Sequence, residues 1–152
     1  MGGIEKVCRT AGKVFRELSL QSGSGFSLYS MHDGYNASTE PYIRKKELRA
    51  FNGNKFWFVL SAIIKGLGND MVVLSHINLS PVGLWIKRLS PKTKVILLAH
   101  GIEVWKEATP GQKKFLESAD AVISVSDYTR SQLASKYRIK KLSVINNCID
   151  PF

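Results

Sequence analysis

Four short apolar runs constrain this chain more than any other feature. Met71-Val72-Val73-Leu74-Ser75, Val95-Ile96-Leu97-Leu98-Ala99, Ala121-Val122-Ile123-Ser124-Val125 and Leu142-Ser143-Val144-Ile145 follow one another at intervals of roughly 20–27 residues. None shows the polar alternation of a half-exposed strand. Helical segments lie between them. Ser80-Pro81 leads into Val82, Leu84, Trp85, Ile86 and Leu89; Thr109-Pro110 into Phe115-Leu116; Ser126-Asp127 into Tyr128, Leu133 and Tyr137. Ser80 suits a helix N-cap and Pro81 the first helical position, where proline's missing N–H costs nothing. Apolar strands alternating with helices predict a parallel sheet covered on both faces. The expected fold class is therefore α/β, a doubly wound and mainly parallel sheet.

The first half of the chain is less regular. Ile4, Val7, Cys8, Ala11, Val14, Phe15 and Leu18 recur at three- and four-residue steps and predict an amphipathic helix, which stops at Ser22-Gly23-Ser24-Gly25. Residues 26–31 alternate and read as a strand, residues 32–46 as a polar loop, and 48–51 as a second short strand. Residues 54–66 predict a helix apolar on most sides and therefore largely buried. Trp57 and Trp85, on apolar helix faces, are assigned to the core.

Composition narrows the function classes. With 152 residues and 44% hydrophobic content the chain can build a core, which excludes a disordered or low-complexity protein. Two cysteines, Cys8 and Cys148, stand at opposite ends without CxxC spacing and read as separate reduced thiols of an intracellular protein. Residues 1–20 carry too many charges for a signal peptide. The most apolar stretch, Phe56 to Leu67, is interrupted by Lys65 and falls short of the ~20 residues of a membrane span. The expected location is the cytoplasm. The net charge of +10 raises nucleic acid as a partner. The basic residues are scattered, however, without interleaved aromatics or a helix-turn-helix pattern, so no nucleic acid is expected.

Parallel α/β sheets bind ligands beyond the carboxyl ends of their strands. His32, His76 and His100 each follow a predicted strand, and Gly101 and Glu103 come directly after His100. Ser126 and Asp127 follow the strand at 121–125, where their simplest role is to cap the next helix. Gly2-Gly3 precedes the first helix, whose free amides favour an anion. All of these are expected to converge on one sheet edge. Metal-ligand spacing, the GxSxG elbow, the GxxxxGK[ST] loop and the GxGxxG fingerprint are absent, and no metal is expected.

Four strings then carry a family resemblance. Gly2-Gly3-Ile4-Glu5-Lys6 opens a helix. His100-Gly101-Ile102-Glu103-Val104-Trp105, Ala119-Asp120-Ala121-Val122-Ile123-Ser124-Val125-Ser126 and Val144-Ile145-Asn146-Asn147-Cys148-Ile149-Asp150 follow in order. Together they resemble the amino-terminal domain of the family-four retaining glycosyltransferases with the GT-B fold. The resemblance implies one Rossmann-like half of an enzyme that moves a sugar from a nucleotide-sugar to an acceptor hydroxyl in polysaccharide or glycolipid synthesis. It implies His100 as the catalytic residue, Gly2 and Gly3 as the loop facing donor phosphate and acceptor, and Glu103 and Ser126 as acceptor-binding residues. It implies no cofactor beyond the nucleotide-sugar substrate, and a glycan or lipid-linked acceptor.

Departures from the family pattern set further expectations. The pattern has an apolar strand before the Gly-Gly loop, a donor-binding domain after the present chain, and a glycine where Cys148 stands. The expected organisation is therefore residues 1–148 as the glycosyltransferase amino-terminal domain, residues 149–152 as the start of an interdomain linker, and truncation at both ends. On this reading a groove replaces the first strand and the chain alone does not transfer sugar. The charge then fits diphosphate-bearing substrates and contact with anionic lipid at the inner face of the plasma membrane. The competing readings are a non-catalytic Rossmann-like module for a sugar or nucleotide, and a basic protein for nucleic acid or a membrane surface.

Overall fold

The computed structural model describes residues 3–37 and 39–147; Gly2, Cys148 and the linker expected over 149–152 lie outside the described residues. The chain divides into two compact units, one up to Ala62 and one from Ile63 onward.

In the first unit, α1 (Gly3–Gln21) carries Glu5 in its first turn, and the Arg9–Glu5 pair at 2.9 Å braces successive turns. Strands β1 (Leu28–Ser30) and β2 (Leu48–Ala50) pair in parallel, Leu28 opposite Leu48. The segment expected to be a polar loop holds buried Tyr42 and Ile43. Thr39 makes this turn: its carbonyl accepts the N–H groups of Tyr42 and Ile43, and its hydroxyl donates to the Ile43 carbonyl. Two apolar residues can hide in a polar stretch because the turn closes its own hydrogen bonds.

Helix α2 (Lys55–Leu67) begins at Asn54, whose side-chain oxygen accepts the Trp57 N–H. Its expected burial is only half correct. Phe58 is buried against Phe51, edge to face at 5.6 Å, but Phe56, Trp57 and Ile64 are 70%, 56% and 63% exposed. Trp85 is likewise 51% exposed. Neither tryptophan belongs to the core. An apolar helix on the outside of a sheet buries one face only, and these residues lie on the other.

The second unit contains β3 (Met71–Leu74), β4 (Lys94–Ala99), β5 (Ala121–Ser124) and β6 (Leu142–Val144), all parallel and in that spatial order. The connections carry α3 (Ser80–Leu89), α4 (Ile102–Trp105), α5 (Pro110–Ser118) and α6 (Asp127–Lys136). The register sets Leu74, Leu97 and Val122 side by side, and Val95, Leu97 and Ala99 are completely buried. Ile96, Leu98 and Ile123 point to the opposite face and are half-buried. Gly83 lets α3 approach this core: a Cβ there would stand 2.3 Å from the Phe115 ring and 2.9 Å from Leu74. Parallel sheets flanked by helices make the fold Rossmann-like and doubly wound, as expected, with the strands divided between a two-stranded and a four-stranded sheet.

At the amino end of the four-stranded sheet, Asp120 accepts hydrogen bonds from Lys87 Nζ at 2.7 Å and from the Val95 N–H at 2.8 Å. Burial pushes its carboxyl upward, but the Lys87 and Val95 hydrogen bonds outweigh that, and its pKa falls below the ordinary aspartate value.

Candidate functional site

Because β3, β4 and β5 are parallel, the loops leaving their carboxyl ends lie along one edge. His76, His100 and Ser126 are each among the first residues after a strand. Sequence spacing placed them there, and the structure brings these three together with Glu103. His32 follows β1 and Gly3 opens α1, both in the first unit; Gly2 lies outside the described residues.

The His100 loop is tightly built. Its N–H donates to Glu103 Oε1 at 2.5 Å, so the carboxylate of α4 holds the start of the loop. Gly101 between them has φ +140° and ψ −105°, a conformation that L side chains avoid, and a Cβ would stand 3.4 Å from the Trp105 ring. Trp105 is fixed in turn. Its Nε1–H donates to Thr129 Oγ1 at 3.2 Å, and its ring meets Tyr128 edge to face at 5.1 Å.

Thr129 is buried and joins two loops. Ser126 Oγ donates to the Thr129 hydroxyl at 3.0 Å and accepts the Thr129 N–H at 3.2 Å. Ser126 is thus the N-cap of α6, the simpler of its two roles. His76 is also a cap: its Nδ1 accepts the Asn78 N–H at 3.0 Å, starting a 3-10 turn over Ile77–Leu79. That turn runs directly into α3, so Ser80 is the first helical residue instead of the predicted N-cap, and Pro81 is the second instead of the first.

His100 is the electrostatically distinct group. Burial lowers its pKa below 6.5, reinforced by the neighbouring His76, while Glu103 and a hydrogen bond to the Ser75 backbone oppose the shift without cancelling it. At neutral pH the imidazole is therefore uncharged, with its single N–H given to the Ser75 backbone. Glu103 Oε2 is buried and takes no hydrogen bond from the described residues. The edge thus holds a neutral imidazole beside a buried carboxylate oxygen that takes no hydrogen bond from the described residues.

Trp105 and Thr129 were not singled out as site residues from the sequence. Thr129 carries a weak signal, three positions after a serine that starts a helix. The pairing of Trp105 with it, 24 residues away, has no local signature.

A Rossmann-like α/β domain with its polar groups at the carboxyl edge of a parallel sheet is built to present ligands there. The chain belongs to Glycosyltransferase Family 4, whose family model matches residues 1–151. No curated protein matches the sequence. Among the described residues, no helix is long and apolar enough to cross a membrane.

Proposed function

We propose that this chain is the acceptor-side part of a retaining glycosyltransferase of the two-domain GT-B type. It serves transfer of a sugar from a nucleotide-sugar to an acceptor hydroxyl in polysaccharide or glycolipid synthesis. The donor nucleotide is held on a second Rossmann-like domain. No metal takes part.

The observation that carries the reading is His100, a neutral and part-buried imidazole on the rigid end of β4. In transfer, the bond between the sugar carbon and the diphosphate breaks with its electrons going to the diphosphate. The acceptor oxygen forms the new bond and gives up its proton to the departing diphosphate oxygen. A neutral imidazole orients a sugar hydroxyl by hydrogen bonding without placing a fixed charge beside the reacting carbon. Glu103 keeps that imidazole in place through the His100 backbone and offers Oε2 to an acceptor hydroxyl. Ser126, occupied as a cap, contributes through the position of α6 and Thr129. Gly2 and Gly3 complete the reading as the loop that meets donor phosphate, where backbone amides stabilise developing negative charge. The enzyme works in the cytoplasm, at the inner face of the plasma membrane, on a glycan or lipid-linked acceptor.

The test is transfer from a panel of nucleotide-sugars by the transferase that carries this domain, with the anomeric configuration of the product read by NMR. Retained configuration supports the reading. An inverted product contradicts it, and so does binding of a nucleotide-sugar with no turnover, the behaviour of a non-catalytic module.

A further inference from the structure

The exposed face of α2 is an apolar feature that neither the core nor the His100 edge uses. At 100° per residue, Phe56, Leu60, Ile64 and Trp57 fall within an arc of about 100°. All four are exposed, whereas buried Phe58 and Gly66 lie on the opposite side. The Phe56 and Trp57 rings contact each other edge to face at 5.5 Å, so they stand out together as one aromatic knob. Exposed contiguous apolar surface of this kind marks an interaction site.

Charge identifies what covers it. Helix α2 has Lys55 and Lys65 exposed and no acidic residue along its length. The segment leading into it carries exposed Arg44, Lys45, Lys46 and Arg49. The one acid there, Glu47, is taken by Arg16 at 2.7 Å and by the Arg44 N–H. A second copy of the same face would set these cations against their own equivalents, since a two-fold contact pairs identical patches. Trp, Phe, Leu and Ile flanked by lysine and arginine match an interfacial segment that buries its rings in the headgroup boundary.

We infer that the Phe56-Trp57-Leu60-Ile64 face of α2, with Lys55 and Lys65 beside it, docks the protein on an anionic lipid surface. This rests on the membrane-facing part of the reading above and not on His100. Trp57 enters the boundary region, and the cations stay at headgroup level by extending their long side chains.

The probe is vesicles of phosphatidylcholine with about one-third phosphatidylglycerol, compared with phosphatidylcholine alone, in co-sedimentation near 0.1 M salt. Expected are binding to the anionic vesicles, at least tenfold weaker binding to neutral ones, and a loss of at least tenfold in F56S/W57S with its melting temperature kept. Brominated lipid quenches tryptophan emission in the native chain. W57F still binds and loses that quenching, which locates the contact without disturbing the fold. H100A binds vesicles like the native chain, so a failure of the catalytic reading leaves this result standing. Equal binding to neutral vesicles, undiminished binding by F56S/W57S, quenching that persists in W57F, or a dimer that dissociates in F56S/W57S would each overturn the inference.

Discussion

The two edges of the four-stranded sheet hold polar clusters with opposite logic. At the amino end, Asp120 is an anion whose Oδ2 accepts from Lys87 and the Val95 amide while Oδ1 faces Lys94 at 3.9 Å, and those partners lower its pKa against the push of burial. At the carboxyl end, His100 has its pKa lowered by burial itself, against the pull of Glu103 and Ser75. One edge locks a charge in place; the other removes a charge and leaves Glu103 Oε2 without a hydrogen bond from the described residues. Both are ordered, but the second holds its unbonded carboxylate oxygen away from water. Satisfied groups hold a sheet together, and a positioned group still short of a partner can meet a ligand.

That contrast breaks most readily at the amino edge. Asp120→Ala leaves Lys87 and the Val95 N–H without their acceptor and is expected to destabilise the fold by about 3 kcal/mol, measured by denaturant unfolding. The site geometry at the other end stays intact, because no side chain there touches Asp120. At the carboxyl edge, Gly101→Ala puts a side chain on a backbone with φ +140°, at a cost of about 2 kcal/mol. Unlike Asp120→Ala, it should also reduce transfer, since the His100 backbone moves. Thr129→Val removes the acceptor of Trp105 Nε1 and loosens the cap at Ser126, for about 1 kcal/mol in the same unfolding assay.

The gentlest effect is on pH dependence. A histidine whose folded pKa lies below 6.5 binds protons more readily when unfolded, so its contribution to stability is fully present above 6.5. Stability then declines as pH falls from 6.5 toward the lowered folded value. His100→Asn should flatten that stretch of the profile, while the Asp120 contribution persists there and disappears only in stronger acid, below the ordinary aspartate range. An unchanged slope in His100→Asn would show that burial of this imidazole is not what distinguishes the edge.

Much of the fold was legible because its signals are local. The run Val95–Ala99 has no polar alternation, Thr109-Pro110 caps and starts α5, and Ser126 caps α6. The same locality explains the errors. Periodicity shows that α2 and α3 have apolar faces but not which is covered, so Trp57 and Trp85 were misplaced. Tyr42 and Ile43 were lost in a polar segment because only the Thr39 turn, a tertiary arrangement, buries them. At the site, the strand-end rule found His76, His100 and Glu103. It could not show that His76 is a cap or that Glu103 holds the His100 amide, because those roles depend on which atoms meet. His32 obeys the same rule yet follows a strand of the other sheet.

The central claim is that the His100 edge reacts while the Asp120 edge only supports. It is tested most directly by the kcat/KM of His100→Ala for nucleoside diphosphate release in the active transferase, measured beside its melting temperature. The account predicts a fall of roughly 10²-fold or more with the melting temperature near that of the native protein. A rate within threefold of native, in a protein equally stable, would contradict it.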